Sequence, residues 1–366
     1  MALSKIHFVY PHGDRISCPD AIGRNVGKRL EKKYHVIYHD YDTNETIKPA
    51  EGDILLGHPT YSPNTCFRLS MRQSGWKRII AMTPYHHGNS MAVAFLDPIL
   101  RCCNQYLAIT GNYWCLSFKD SLFSHWSPKF TPLDLAIDKS DFPNIKTGFN
   151  PPGKRKFLYI GSLGWTKNPG YLSRVATTLT DNPIYWIGAK SRLGVPGLIS
   201  LGYQDFSTQI ARDLISSFDF TITVSDADAN PTTILETMSW GLIPICTPQS
   251  GYVNYPGIIN VPLNEVNQTV KLMRELQEIP ETTLAEMQLQ NRKIIEEYFN
   301  WDRFTNIVLS AIADNSNPQI DHESYSRKLR IKLAASLLPF VSKSQYHKVR
   351  FIPYYFRRFL KSKITN

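Results

Sequence analysis

Short runs of apolar and aromatic residues alternate with amphipathic segments along most of the chain. In the first half such runs cover residues 6–11, 35–40, 53–58, 78–83 and 106–110. The segment 19–33 after the first run places small and apolar residues at helical spacing. Apolar runs of this length are typical of buried strands, and their alternation with helices is typical of a parallel sheet. The pattern therefore predicts a parallel α/β domain in the first half.

A Pro-, Gly- and Asn-rich stretch over residues 141–153 interrupts this pattern and predicts a linker. The alternation then restarts, with predicted strands at 156–161, 184–188, 197–202, 220–225, 243–247 and 257–262 and predicted helices at 170–179, 205–217, 232–240, 265–276 and 283–298. We therefore expect an α/β protein with two doubly wound, Rossmann-like domains that face each other across a cleft. The expected divisions are an N-terminal domain over 1–145, a C-terminal domain over 146–300, a helix in 301–323 that could cross back to the N-terminal domain, and a tail over 324–366.

Composition excludes several other classes of protein. The chain has 366 residues, of which 42% are hydrophobic and 20% charged, unlike a disordered or fibrous chain. Its six cysteines form no Cys-x2-Cys pair, which argues against a zinc ribbon and favours a reducing compartment. The first residues lack the order of a signal peptide, and no apolar run approaches the roughly 20 residues that span a bilayer. We therefore expect a cytoplasmic protein.

The net charge of +10 is concentrated at the end of the chain. After Glu323 there are eleven lysines and arginines and no acidic residue, which leaves 30 basic and 31 acidic residues in the rest. A nearly neutral body argues against nucleic acid as a partner. Aromatic residues between the tail charges favour an anionic membrane surface, so the protein could be peripheral on the inner face of the cell membrane. Nucleic-acid contact by the tail, or a tail folded onto the body, are the alternatives.

The most informative stretch covers residues 219–247. A predicted buried strand runs into a polar loop, Asn230-Pro231 opens a helix, and Gly241 closes it. Free N–H groups at the start of a helix after a strand favour bound anions. Asp228 lies in this loop and Glu236 about one turn inside the helix. Considered alone, the two would be ordinary surface carboxylates.

In context, Asp228 and Glu236 resemble the Glu-x7-Glu motif of the family 4 retaining glycosyltransferases, which use nucleotide sugars and have the GT-B fold. The segments 229–231 and 236–244 match the family's pattern position by position, although the first acid is Asp here instead of Glu. Residues 133–143, 157–168 and 296–302 resemble three further family segments in the same order. The resemblance covers roughly residues 130–313, whereas the first 125 residues match only in topology.

The resemblance also implies a donor site around the loop that follows the first strand of the second domain. Gly161 and Lys167 match the family's loop, and chemistry gives the lysine a role, because a departing nucleoside diphosphate gains negative charge. An exposed loop lysine is the alternative. The family's companion arginine is Ser162 here, for which Arg192 or Lys190 in the next loop could substitute.

Four other positions are candidates on weaker signals. The family keeps a histidine near the transferred sugar, and either His86 or His87 could be that residue; local hydrogen bonding is the alternative. Gly13 could allow close approach to donor or acceptor, or belong to a plain turn. Tyr203 lies where the family contacts the nucleotide base, but could be only a packing residue.

Metal ligation is not favoured by the histidine pattern. The pair His35 and His39 lies in a predicted strand without a third ligand. The resemblance likewise implies a metal-independent enzyme without a cofactor, whose substrate is a nucleotide diphosphate sugar.

The implied function is a retaining glycosyltransferase that acts on a glycan or lipid-linked acceptor, in cell-surface polysaccharide or lipopolysaccharide synthesis. Glu236 would bind the donor ribose, the Thr232 and Thr233 amides the diphosphate, and Asp228 would lie near the sugar. The N-terminal domain would hold the acceptor. The alternative is an inactive GT-B-like nucleotide-binding or scaffold subunit, because Ser162, Asp228 and a missing paired glycine depart from the family.

Overall fold

Two parallel sheets surrounded by helices form the part of the chain that this computed structural model describes, residues 5–13, 17–188 and 195–320. The strands are β1 (Lys5–Val9), β2 (His35–His39), β3 (Ile54–Gly57), β4 (Arg78–Pro84), β5 (Gln105–Ile109), β6 (Phe130–Leu133), β7 (Phe157–Ile160), β8 (Ile184–Ile187), β9 (Leu198–Ser200), β10 (Phe220–Thr223), β11 (Ile243–Cys246) and β12 (Ile259–Asn260).

The helices are α1 (Cys18–Leu30), α2 (Cys66–Ser70), α3 (Ser90–Val93), α4 (Asp97–Leu100), α5 (Asn112–Leu116), α6 (Pro169–Thr178), α7 (Gln209–Ser216), α8 (Thr232–Trp240), α9 (Val266–Gln277), α10 (Glu281–Glu297) and α11 (Trp301–Ala313). Short 3-10 turns cover Ala94–Leu96, Phe118–Asp120, Ser124–Trp126, Trp165–Lys167 and Pro248–Ser250.

The first sheet has the strand order β2-β1-β3-β4-β5-β6, and every pair is parallel. The five strands predicted for this half are present. The sixth, β6, was not predicted, because Pro132 interrupts the strand pattern and removes a backbone donor. Proline is tolerated here because β6 lies at the edge of the sheet, where one side of the strand needs no partner.

The second sheet has the order β12-β11-β10-β7-β8-β9, again with parallel pairing throughout. All six strands predicted for this half are present, although β9 and β12 are shorter than expected. The prediction of an α/β protein with two parallel, doubly wound sheets is therefore confirmed.

A helix from the end of the described chain packs on the first sheet. Helix α11 covers Trp301–Ala313, shorter than the 301–323 segment in which a helix was expected, and it contacts α1 and β4. Arg29 of α1 pairs with Asp302 at 2.7 Å, and Arg78 of β4 pairs with Asp314 at 3.1 Å. Apolar residues of α1, α8 and α11 belong to one buried cluster. The chain thus returns from the second sheet to the first after α10.

The predicted linker, 141–153, contains no helix or strand, but it is anchored to the second sheet. The backbone N–H groups of Ile145 and Lys146 both donate to the carbonyl of Trp240 at 3.1 Å. The Lys146 side chain, 2% exposed, pairs at 3.1 Å with the fully buried carboxylate of Asp219. Asn150 donates to the same carboxylate from its backbone and side chain.

Two expectations concern residues that lie outside the described ranges. The first is the tail over 324–366. The second is the expectation that Lys190 or Arg192 replaces the family's arginine, whose position Ser162 occupies in this sequence. Within the described ranges, the helices are all too short or too polar to cross a membrane. Division of the chain at 145 and 300, and the assignment of acceptor and donor to the two halves, stay predictions.

Candidate active site

Loops at the carboxyl ends of strands from both sheets meet in one region. The Gly111 N–H, after β5, donates to the carbonyl of Ala229, after β10, at 2.8 Å. Gly88, after β4, also lies against the loop after β10. A Cβ atom added to this glycine would be only 3.1 Å from the Cβ of Ala227. Such contacts require parallel strands whose carboxyl ends point to a shared cleft, where α/β proteins bind ligands.

Lys167 and Asp228 form an ion pair in this region. Lys167 ends the 3-10 turn after β7, and its ammonium contacts the Asp228 carboxylate in the loop after β10. Their side chains are 24% and 18% exposed, so both are accessible from the cleft. The Asp226 N–H also donates to the Thr166 carbonyl at 3.3 Å. The loops that carry the predicted lysine and the predicted first acid are therefore held together.

Glu236 lies on α8, one turn from its start, within the field of the Lys167 charge. Burial raises the pKa of its carboxyl to about 7, while a hydrogen bond with the Thr232 side chain and the charge of Lys167 act in the opposite direction. Helix α8 begins after Pro231, which offers no side-chain cap. The first N–H groups, at Thr232 and Thr233, are therefore not satisfied by a cap and remain suited to an anion.

The two candidate histidines have different surroundings. His86 lies within the field of Asp228, which acts against the burial that lowers its pKa. Its Nδ1 is buried and has no hydrogen-bond partner among the residues that the structure describes. His87 instead shares a 3.2 Å hydrogen bond with the hydroxyl of Tyr85, and burial together with His86 lowers its pKa to about 4. Of the two, His86 is thus the one that senses Asp228.

Trp114 of α5 is a site residue that the sequence did not indicate. Its ring packs against the rings of His86 and His87, with centroid separations of 5.8 and 5.0 Å. Its indole N–H donates a hydrogen bond to the backbone carbonyl of Asp228. A Cβ on Gly88 would lie 2.7 Å from the same indole, so only glycine fits beside it. No local pattern distinguishes this tryptophan from a core residue.

Cys18, the first residue of α1, was also missed. Burial and the charges of Glu236 and Asp228 raise the pKa of its thiol to about 12, and Lys167 acts in the opposite direction. The start of α1 therefore lies within electrostatic reach of the site. Gly13 leads into it: its N–H contacts Asp20 of α1 at 3.3 Å.

The remaining predicted donor residues border the site more loosely. Gly161 has φ +141°, a conformation that favours glycine, and its carbonyl accepts a 3.0 Å hydrogen bond from the Trp186 indole. Ser162 is exposed, and its carbonyl accepts from the Tyr159 hydroxyl. Tyr203 is 68% exposed in the loop after β9, and β7 and β8 separate that strand from β10. The structure thus does not bring Tyr203 to Lys167 and Asp228.

Buried polar atoms without protein partners collect in the same loops. Within the described ranges these atoms include Ser225 Oγ, Asn230 Nδ2 and Gln249 Oε1, in addition to His86 Nδ1. Unpaired buried polar atoms are rare and costly, and they are frequent at sites that bind water or a polar ligand. The region can therefore offer both hydrogen-bond donors and acceptors to a polar molecule, beside one cation and two carboxyl groups.

A second polar cluster lies around His39, apart from the cleft. The sequence suggested no third ligand beside the pair His35 and His39. In the fold, Glu45 and Cys66 each bring a ligand atom next to His39, all within 4.8 Å of one another. The loop after β2 and the start of α2 supply them, and this proximity is not visible in sequence spacing.

No family model matches the sequence, and no curated protein matches it either. Solved structures do match the fold. A structure of TarM has a TM-score of 0.55 and 12% sequence identity to this chain. The match covers 73% of this chain and 56% of the TarM chain, so this chain spans little more than half of TarM. The fold is the GT-B fold.

Two further structures agree with this assignment. A UDP-forming α,α-trehalose-phosphate synthase from Burkholderia xenovorans has a TM-score of 0.62 and 9% identity, covering 86% of this chain and 99% of its own. An α-glucosyltransferase in complex with UDP-glucose and DNA containing an abasic site has a TM-score of 0.54 and 10% identity, covering 86% and 100%. At these identities the likeness shows the architecture alone.

Proposed function

We propose that this protein is a retaining glycosyltransferase that transfers a sugar from a nucleotide diphosphate sugar to a hydroxyl group of a glycan or lipid-linked acceptor. The observation that carries this proposal is the meeting of Lys167, Asp228 and Glu236 beside the uncapped start of α8. A cation and free helix N–H groups suit a diphosphate, and a carboxylate inside the helix suits the ribose hydroxyls. The UDP and UDP-glucose named for two of the similar structures support a nucleotide sugar as donor.

The donor would lie on the second sheet. The Glu236 carboxylate would accept hydrogen bonds from the ribose hydroxyls, and the Thr232 and Thr233 amides together with Lys167 would bind the diphosphate. Gly161 and Ser162 would border the phosphates, and Tyr203, in the exposed loop after β9, would contact the base. Because the Lys167 ammonium already pairs with Asp228, the diphosphate would share that cation with the carboxylate.

Chemistry at the sugar needs no enzyme nucleophile in this proposal. The bond between the anomeric carbon and the leaving phosphate oxygen breaks while the acceptor oxygen attacks the same face of the sugar. The leaving phosphate takes the proton of the acceptor hydroxyl, so the products are the glycoside and the nucleoside diphosphate. Lys167 would stabilise the charge that grows on that phosphate. His86 and Asp228 would hydrogen-bond to the sugar from opposite sides of the cleft.

A lipid-linked acceptor would place the enzyme at a membrane, as in cell-surface polysaccharide or lipopolysaccharide synthesis. The basic and aromatic composition of residues 324–366 supports contact with an anionic surface, and cytoplasmic location with peripheral attachment stays a prediction.

The test is a panel of UDP-, GDP- and ADP-sugars added to the full chain, with thermal stabilisation and slow donor hydrolysis as two separate measurements. Binding of one nucleotide raises the melting temperature by mass action. We expect one base to stabilise the protein, and Glu236→Ala to abolish that shift while Glu286→Ala, an exposed change on α10, leaves it intact.

The panel also separates the proposal from the second candidate, a GT-B-like binding or scaffold subunit, which the departures at Ser162 and Asp228 favour. Stabilisation by a nucleotide without any hydrolysis of its sugar, even with candidate acceptors added, would support the scaffold. No stabilisation by any nucleotide would contradict the donor-binding roles of Glu236 and Lys167 and would favour a scaffold subunit.

A further inference from the structure

A cluster of three different metal-ligating side chains lies apart from the cleft. His39 ends β2, Glu45 follows in the next loop, and Cys66 is the first residue of α2. One ligand atom from each lies within 4.8 Å of the other two. We propose that His39, Glu45 and Cys66 bind one divalent cation of the zinc type, through imidazole nitrogen, carboxylate oxygen and thiolate sulfur.

The spacing of the ligand atoms is close to what such an ion requires. His39 Nδ1 and Glu45 Oε2 are 3.1 Å apart. Nitrogen and oxygen ligands at about 2.0–2.1 Å from a tetrahedral zinc ion stand about 3.3 Å from each other. The Cys66 sulfur, with a longer bond of about 2.3 Å, needs only to lie slightly farther away. The sulfur lies within 4.8 Å of the other two ligand atoms, where a tetrahedral ion needs about 3.6 Å, so a shift of at most about 1.2 Å completes the site.

The hydrogen bonds of His7 and His39 indicate which ring nitrogen of His39 keeps a lone pair for a cation. His7 Nε2 lies 3.3 Å from the Asp53 carboxylate, which can only accept, so this nitrogen carries the hydrogen. The neutral ring of His7 then accepts through Nδ1, 3.0 Å from His39 Nε2, which must donate. His39 is left with its Nδ1 lone pair facing the Glu45 carboxylate.

These two acceptors repel each other unless a proton or a metal cation lies between them, so the position is one that a divalent cation can take. In other proteins a metal-ligating histidine donates its second ring N–H to a fixed acceptor, and here His7, held in turn by Asp53, supplies that acceptor. Asp53 is itself held by the Ala50 N–H at 2.8 Å, and the Trp76 ring packs against His7. His7 and Asp53 would therefore act as positioning residues for His39.

The sulfur completes a donor set suited to zinc. Cys66 is fully buried at the start of α2, and cysteine sulfur is one of the ligands that zinc binds most often beside histidine nitrogen. When the ion binds, the thiol proton passes to solvent and the sulfur–metal bond forms. The Glu45 side chain is 53% exposed, so a water molecule can supply the fourth ligand.

The effect of the ion would be to fasten the loop after β2 to α2. That connection now rests on contacts such as the 2.8 Å hydrogen bond from the Cys66 N–H to the Thr43 carbonyl. The inference does not depend on the proposed glycosyl transfer, since none of the donor-site residues takes part.

The test uses the full chain without a polyhistidine tag, treated with a chelator and then titrated with Co²⁺ as a spectroscopic probe. We expect one equivalent to bind with a thiolate-to-cobalt charge-transfer band in the near ultraviolet, and Zn²⁺ to displace it. Cys66→Ala should abolish the band, and Glu45→Gln should weaken Co²⁺ binding at least tenfold. Loss of the positioning residue in His7→Gln should weaken it about 10–100-fold.

Matched controls are Cys102→Ala, an exposed cysteine, and His35→Ala, an exposed histidine on the same strand as His39. Both should bind Co²⁺ as the original chain does. Absence of a thiolate band, or a band that survives Cys66→Ala, would overturn the proposal. If Cys66→Ala unfolds, the exposed change Glu45→Gln decides: unchanged Co²⁺ affinity in that variant would reject the site.

Discussion

The indole N–H of Trp114 donates a hydrogen bond to the backbone carbonyl of Asp228. Trp114 follows β5 of the first sheet and Asp228 follows β10, the fourth strand along the chain in the second sheet, so the bond joins the two sheets at the cleft. The side chain of Asp228 is left to pair with Lys167. One residue thus connects to the other sheet through its backbone and to the predicted phosphate-binding lysine through its carboxylate.

Trp114→Phe keeps an aromatic ring beside the histidines but removes the donor. A buried carbonyl without a partner costs about 1–3 kcal/mol, and we expect the free energy of unfolding to fall by that amount. Nucleotide-sugar hydrolysis should fall as well, because the loop that carries Asp228 loses its anchor. Urea denaturation and a hydrolysis rate measure the two effects. Trp165→Phe, at a position 57% exposed, is the control; equal effects in both variants would contradict this role.

Local motifs explain which part of the site was predictable. Asp228 and Glu236 lie on one continuous strand, loop and helix, so their spacing alone brings them near each other. Trp114 reaches Asp228 only because both sheets point their strand ends into one cleft, and a tryptophan in a five-residue helix carries no sign of that. The proximity of Cys66 to His39 likewise depends on tertiary packing, because it arises where α2 begins near the end of the edge strand β2.

Lys167→Ala tests charge stabilisation of the leaving group. The charge on the diphosphate grows as the sugar–phosphate bond breaks, so turnover should fall more than nucleotide affinity, by roughly 10²–10³-fold for loss of one such donor. The rate constant and Michaelis constant for hydrolysis of the donor that the panel identifies should be compared with those of Lys271→Ala, an exposed change on α9. A change confined to the Michaelis constant would make Lys167 a binding residue only.

His86→Asn and His87→Asn should separate the two histidines. His86 has a buried nitrogen without a protein partner and senses Asp228, whereas His87 bonds to the Tyr85 hydroxyl. We expect His86→Asn to lower turnover by at least about tenfold, as for loss of a positioned polar group at the reacting centre, with an unchanged melting temperature. His87→Asn should mainly lower the melting temperature. The reverse result would assign the sugar contact to His87.

Glu236 predicts a specific dependence of stability on pH. Its folded-state pKa of about 7 lies above the ordinary value of 4.5 because burial disfavours the charged form. The proton bound to the Glu236 carboxyl therefore stabilises the folded state. This contribution to the free energy of unfolding is fully present below pH 4.5 and is lost as the pH rises through 7. Glu236→Gln stays uncharged, so its melting temperature should gain on that of the original chain between about pH 5 and pH 8. Glu286→Gln should show a constant difference; a constant difference for Glu236→Gln as well would place its pKa near the ordinary value.

The buried pair Lys146 and Asp219 should dominate the stability of the segment that connects the sheets. The carboxylate is fully buried and also accepts from the Asn150 N–H at 2.8 Å and the Lys156 N–H at 2.9 Å, but Lys146 supplies the one formal positive charge that contacts it among the described residues. Lys146→Met leaves that charge uncompensated, which typically costs about 3–5 kcal/mol when a buried pair loses one partner.

Urea denaturation measures this loss as a lower midpoint. Lys154→Met, an exposed lysine in the same segment, removes equal charge and should change the free energy of unfolding by less than about 0.5 kcal/mol. A loss below about 1 kcal/mol for Lys146→Met would match an exposed ion pair instead, and would mean that water reaches Asp219 once the lysine is gone.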